Sequence, residues 1–263
     1  MAGVGNKSQS QIYGDWFYID NSNSGFDATL RQIKDGKGNN SALYLSNKSL
    51  KIQPASDSTT NTSICDQDGN ALLVVDSTND LVKTGTGQHI VNTQYAHFGI
   101  GSGNLVWAGV AAGTHYAVPF NSIATQSLVS GGTGTDPATS FTISTTADDM
   151  VGVLWYVMDN ITIDRAIWWS ANDDAASGNA VRTHLMEYTI DSGNSTTGGD
   201  LSSGSVLAYS SDVTNAGYEQ AYYNQMTIST ANVDSGKAIL FFVRGDTSAE
   251  DFSINATIKY HLR

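Results

Sequence analysis

One cysteine, three prolines and thirteen basic residues are all that 263 positions hold of these types. The lone Cys65 excludes an internal disulfide framework and a cysteine-based zinc site. Its neighbours Ile64 and Asp66 offer no basic group to activate a thiol. It reads as a small strand residue. The 13 Lys and Arg stand against 25 Asp and Glu, for a formal net charge of −12. No two basic residues are adjacent, so the electrostatic footprint of a nucleic-acid binder is missing. No apolar run approaches the roughly 20 residues that a membrane-spanning helix needs. Residues 1–8 have neither the basic start nor the apolar centre of an export signal. No nucleic-acid partner and no membrane insertion are expected.

Glycine, at 26 residues, and abundant Ser, Thr and Asn fill the space that charge leaves, since charged residues make up only 14 %. Ser, Thr and Asn draw backbone hydrogen bonds to themselves and glycine costs a helix entropy, so this composition disfavours helices. It suits short strands joined by tight turns. Aromatics at 10 % and several dense apolar segments argue for a folded chain rather than a disordered one.

Residues 1–95 and 96–263 read differently. The first part is a series of short strands, each with two to four apolar residues, broken by turn clusters such as Asp35-Gly36-Lys37-Gly38-Asn39-Asn40. Residues 63–76 read as strand, Asp-Gly hairpin turn, strand. No piece can bury a core alone, and isolated hairpins are marginal in water. Three copies wrapped about one axis would pool their apolar faces. From about Tyr95 the strands are longer. Residues 150–158 form a nearly continuous apolar run, the pattern of a strand buried on both faces. Phe252, Ile254, Ala256, Ile258, Tyr260 and Leu262 alternate with polar residues to the end of the chain. The expected fold is all-β: a thin, shaft-like N-terminal region, then an antiparallel β-sandwich of jelly-roll type.

Residues 14–20 (Gly-Asp-Trp-Phe-Tyr-Ile-Asp) and 28–46 resemble modules in the tail fibres and surface fibres of marine tailed phages. Residues 68–79 are similar to a D-x-x-G-N-x-L-x-V-D unit that recurs in fibre shafts, read here in one copy. The C-terminal part, ending in Lys259-Tyr260-His261, resembles β-sandwich heads of such phages. The resemblance implies a homotrimer on the virion surface, bound to capsid or tail proteins. Its single shaft unit suits a short tail fibre or a capsid decoration. Tyr13, Trp16 and Phe17 are then the expected virion-anchoring residues.

A search for chemistry returns little. Asp66-Gln67-Asp68-Gly69-Asn70 starts like a calcium loop, but the twelfth position is Ser77 rather than Glu, so a hairpin turn is the better reading. The five histidines lack metal-ligand spacing. No nucleophile elbow, phosphate loop or dinucleotide fingerprint occurs. No catalytic residue, metal or cofactor is expected, with calcium held by loop carboxylates as an alternative. Trp168 and Trp169 beside Asp173 and Asp174, with Tyr218, Tyr222 and Tyr223, are the candidates for binding a host-surface glycan or receptor, because aromatic faces stack on sugars while carboxylates take hydroxyls. The competing reading buries one tryptophan and packs the other against a neighbouring subunit. A glycan-degrading tailspike is the remaining alternative.

Overall fold

A computed structural model describes residues 13–22, 24–99, 113–121, 128–133, 143, 147–172, 180–190, 200–214, 220–245 and 252–263. The chain is all-β, and every pairing between its strands is antiparallel. It divides into two compact units, Met1–Val91 and Asn92–Arg263. The division falls slightly before residue 95, because the strand that starts at Thr93 belongs to the second unit.

Unit 1 contains two four-stranded meanders. The first orders β1 (Phe17–Ile19), β2 (Arg31–Asp35), β3 (Asn40–Leu45) and β4 (Leu50–Ile52). The second orders β5 (Thr62–Cys65), β6 (Ala71–Asp76), β7 (Leu81–Thr84) and β8 (His89–Ile90). Asp35 and Asp66 stand 31 residues apart and build the same turn. In each, one carboxylate oxygen accepts two backbone N–H groups, from Lys37 and Asn39 or from Asp68 and Asn70, at 2.8–2.9 Å. The Asn39 and Asn70 side-chain amides donate to the other oxygen. Gly38 and Gly69 take the same left-handed conformation, φ 87° and 86°, which glycine reaches without penalty. These bonds hold both carboxyls below the usual range, chiefly through the Asn side chain. The registers beyond the turn correspond as well: Leu43 faces Ile52 as Val74 faces Lys83. The unit read as a single copy is therefore a tandem repeat of D-x-x-G-N hairpins. Its second copy escapes a search for the full motif because only the turn residues recur.

Little is buried in unit 1. Among its described residues only Val74 and Asp76 are fully enclosed, Asp76 by Lys83 at 2.6 Å and by Asn79 at 2.9 Å. Lys83 is the main reason its carboxyl lies at about 2. Ahead of β2, Asp27 pairs with Arg31 through both carboxylate oxygens, which holds its carboxyl at about 2.

Unit 2 is a sandwich. One sheet orders β11 (Val129–Thr133), β10 (Thr114–Val118), β20 (Lys237–Gly245), β14 (Ala180–Ile190), β15 (Leu201–Tyr209) and β18 (Thr227–Ile228). Two short strands, β12 (Trp155–Tyr156) and β16 (Val213–Thr214), join β20 and β14. The other sheet orders β17 (Gln220–Gln225), β13 (Ile161–Asn172), β21 (Phe252–Leu262) and β9 (Thr93–Gly99), with β19 (Asn232–Val233) on β13. Between the sheets lies the main core, including Phe98, Trp155, Ile163, Trp168, Leu185, Ile239, Phe241, Val243, Ile254 and Ile258. A second cluster covers the far side of the six-strand sheet. There Ile143, Met150, Val153 and Leu201 pack with Met186, Tyr188, Leu240 and Phe242.

The strand buried on both faces is thus β20. Ile239, Phe241 and Val243 enter one core, and Ala238, Leu240 and Phe242 the other. Residues 150–158, expected in that role, instead close a helical turn (Ala147–Met150) and make only the two-residue β12. Met150 accepts the N–H groups of Val153 and Leu154, turning the chain around the sheet edge. Its apolar run serves two cores in sequence, Met150 and Val153 in one, then Trp155 and Val157 in the other. In β21 the alternation holds to the end, since Tyr260 and Leu262 pack against the main core as Ile254, Ala256 and Ile258 do, while His261 on the other face is also buried. A bulge between Ile163 and Arg165 places Asp164 against the His261 ring at 2.9 Å.

Candidate functional site

The residues expected to bind sugar or receptor separate in the structure. Alternation along β13 turns Trp168 inward, 0 % exposed in the main core, and Trp169 outward, 46 % exposed. Trp168 therefore cannot stack on a ligand and is a core residue. Trp169 faces Tyr223 across the β13–β17 pair, with ring centroids 4.9 Å apart and a 60° tilt. Arg165, two positions along the same face with the bulge passed, donates to the Tyr223 hydroxyl at 2.5 Å and to Gln225 at 3.1 Å. The outer face of this sheet so presents one propped aromatic pair. Asp173, Asp174 and Tyr218 lie outside the described residues.

The three residues expected to anchor the chain lie at the surface of unit 1. Phe17 is 77 % exposed, and the Tyr13 and Trp16 rings tilt together at 6.2 Å. Tyr13 opens a short 3-10 turn, Tyr13–Asp15, and Trp16 and Phe17 follow it. A Cβ on Gly36 would stand 1.6 Å from the Tyr13 carbonyl oxygen, so only glycine fits that approach. Phe17 also helps line a cavity of about 420 Å³ with Phe26 and Ile33.

The largest concave site among these is on unit 2, a cavity of about 590 Å³ on the far side of the six-strand sheet. That volume is within the ordinary range for small-ligand pockets, roughly 300–1,000 Å³. Its lining includes Arg182, His184, Val206, Tyr209, Ser210, Ser211, Asp212 and Ser229. The sheet register explains the composition. Arg244 of β20 has His115 of β10 directly on one side and Arg182 of β14 on the other. One rung along, His184 sits between Phe242 and Tyr209. After β15 the chain turns along β14. Ser210 exchanges hydrogen bonds with the Thr183 backbone, its hydroxyl accepting and its N–H donating, both at 2.9 Å. That turn brings Asp212 under Arg182, which donates from Nε and Nη2 at 2.5 and 2.7 Å.

Two like charges opposite each other in a sheet are unfavourable, and Asp212 offsets one of them. The Arg182 hydrogen bonds lower the Asp212 carboxyl below its usual value. His115 and His184 contact edge to face at 5.8 Å, both buried. Burial first, then the neighbouring arginines, pushes His115 down to about 4; burial, His115 and the arginines push His184 down to about 3. Both rings are neutral at pH 7, and the Nδ1 of the 4 % exposed His184 has no hydrogen-bond partner among the described residues.

Sequence reading missed this site. Its lining comes from β14, the end of β15, the turn that follows β15 and Ser229, with no local motif, and strand register brings them together. As for metals, Asp66 spends both oxygens on its own turn. Among the described residues no group of three or more His, Cys, Asp or Glu side chains is placed to hold an ion. No helix among them is long and apolar enough to cross a membrane. No protein-family model matches the chain, and no curated protein matches it in sequence.

Proposed function

We propose that the chain is a non-enzymatic structural protein of a virion surface, a short trimeric fibre in which unit 1 assembles and anchors and unit 2 is displayed. The observation that carries this reading is the apolar surface of unit 1. Phe17, Phe26, Leu50, Ile52, Ile64, Leu72 and Val82 are all exposed, on meanders whose only buried apolar residue is Val74. Exposed patches of this kind mark surfaces that associate. A shaft built from several copies would cover such side chains. Sedimentation velocity of the purified chain tests the assembly: three chains per particle are expected, and a monomer at micromolar concentration overturns it. A chain lacking residues 13–19 should fail to enter virions, and normal incorporation would contradict the anchoring role of Tyr13, Trp16 and Phe17. Copy number per virion separates a capsid decoration from a tail fibre.

A second reading, a host-attachment protein, draws on the Trp169–Tyr223 pair, because an exposed, propped aromatic surface suits stacking on a sugar ring. It predicts glycan binding that disappears in Trp169→Ala while the assembly stays intact.

A further inference from the structure

The outer face of the β17–β13–β21–β9 sheet gathers unbalanced positive charge in the more acidic unit of the chain. Unit 2 holds six of the 13 basic residues and sixteen of the 25 acidic ones. Yet Arg165 of β13 and Lys259 of β21 stand directly opposite each other, with Tyr95 of β9 on the far side of Lys259. Like charges so placed destabilise a sheet unless something neutralises them. Among the described residues neither has a carboxylate partner. Arg165 gives Nε and Nη2 to the neutral Gln225 and Tyr223 side chains, which leaves Nη1 uncommitted, and the Lys259 ammonium has no hydrogen-bond partner. Asp164, the bulge residue beside Arg165, is engaged by His261 at 2.9 Å.

The two cations adjoin the exposed aromatic pair. Tyr223, propped by Arg165, packs on Trp169 at 4.9 Å, and both rings are nearly half exposed. Thr257 and Gln225 occupy the rung between, and Asn255 lies opposite Trp169. Arg165 and Trp169 are four residues apart on β13, roughly 13 Å at about 3.3 Å per residue, which is longer than one sugar ring. We propose that this face binds an acidic oligosaccharide, one ring of which stacks on Trp169 and Tyr223 while Lys259 and Arg165 hold a carboxylate or sulfate of the same ligand. An aromatic face suits the apolar face of a sugar. An ammonium with three open donors and a guanidinium beside it make charge-assisted hydrogen bonds to such an anion. The Thr257, Gln225 and Asn255 side chains exchange hydrogen bonds with hydroxyls. The proposal rests on the attachment reading of the aromatic pair and adds the charge of its ligand.

Binding of the full chain to immobilised oligosaccharides of three classes, neutral, uronate-containing and sulfated, tests it, with tetraglutamate as a free competitor. Uronate-containing or sulfated chains should bind at least tenfold more tightly than neutral ones, and the class that binds names the anionic group. Lys259→Gln and Trp169→Ala should each weaken that binding roughly tenfold or more, while Lys259→Arg, which keeps the charge, retains it. Lys48→Gln, the same charge change at an exposed residue of unit 1, should leave it unaltered. Neutral chains binding as tightly, with loss in Trp169→Ala, overturn the charge requirement and leave the attachment reading standing. Absence of binding to all three classes overturns both. Competition by tetraglutamate overturns the saccharide requirement. Acidic-chain binding that survives Lys259→Gln, or that falls equally with Lys48→Gln, overturns the site.

Discussion

Unit 1 and unit 2 draw on the same polar, glycine-rich vocabulary but reach stability by different means. In unit 1 order comes from turns: two Asp–Asn pairs fold the D-x-x-G-N loops onto their own backbone, and Asp27–Arg31 and Asp76–Lys83 tie down neighbouring segments. In unit 2 it comes from burial. Among the described residues every fully buried apolar one except Val74 belongs to it, and β20 feeds two cores. Each large apolar side chain so enclosed contributes about 1.5–3 kcal/mol, whereas a turn carboxylate in water contributes far less. The difference teaches where each unit gets its specificity. Unit 2 is specified from within, while unit 1 leaves large apolar side chains exposed.

The sharpest way to break the comparison is to attack the core of unit 2. Phe241→Ala removes a ring that packs on Phe98 at 5.8 Å inside the main core. It should cost about 3–5 kcal/mol, read from denaturant unfolding by tryptophan fluorescence. A loss near zero would mean that the two-sheet core does not govern unit 2.

Acid should separate the units next. His115 and His184 titrate at about 4 and about 3 when folded, against 6.5 for a free ring. Their neutral forms are built into the fold, so this contribution is complete above pH 6.5 and is lost as pH falls toward 3. Asp27 and Asp76, at about 2 against 3.8, keep their contribution down to about pH 4 and lose it only toward pH 2. Between pH 6.5 and 4, protection against hydrogen exchange, taken relative to the intrinsic rate at each pH, should fall in β10, β14 and β20 but not in β2 or β6. An equal fall in both units would contradict the assignment.

Exchanging apolar for polar groups on unit 1 should act on assembly rather than on the fold. Leu50→Ser with Ile52→Ser changes two exposed residues of β4. On the proposed trimer, it should shift sedimentation toward monomer while the unfolding transition of unit 2 stays put. The smallest effect is expected from Gly36→Ala, whose Cβ would collide with the Tyr13 carbonyl. It should displace the Tyr13–Asp15 turn and alter Trp16 fluorescence alone. The equivalent residue of the second hairpin, Gln67, already carries a side chain, so Gln67→Ala should be silent there.

Much of the fold was legible in the residues. Alternation located β21 and the inward turn of one of the two adjacent tryptophans, and the Asp-Gly signal located both hairpin turns. The reading failed where a local pattern had two solutions. An apolar run such as 150–158 describes burial on both sides without saying whether one strand meets two cores or a bent segment meets them in turn. The 31-residue repeat was visible in Asp35, Gly38 and Asn39 against Asp66, Gly69 and Asn70, but the intervening apolar residues differ enough to hide it.

By itself, then, the sequence determined what backbone chemistry determines: an all-β chain, its tight turns, and a join near residue 95, a few residues past Val91 where the first unit ends. These follow from propensity and period, which act over a few neighbouring residues. Tertiary structure alone decided that β20 is the shared strand of two cores, that Trp168 is enclosed while Trp169 is not, and that His115, Arg182, His184, Asp212 and Arg244 meet. Those residues are scattered along the chain, and register between strands is a long-range choice. It is fixed by which faces bury apolar area, and no local pattern records it.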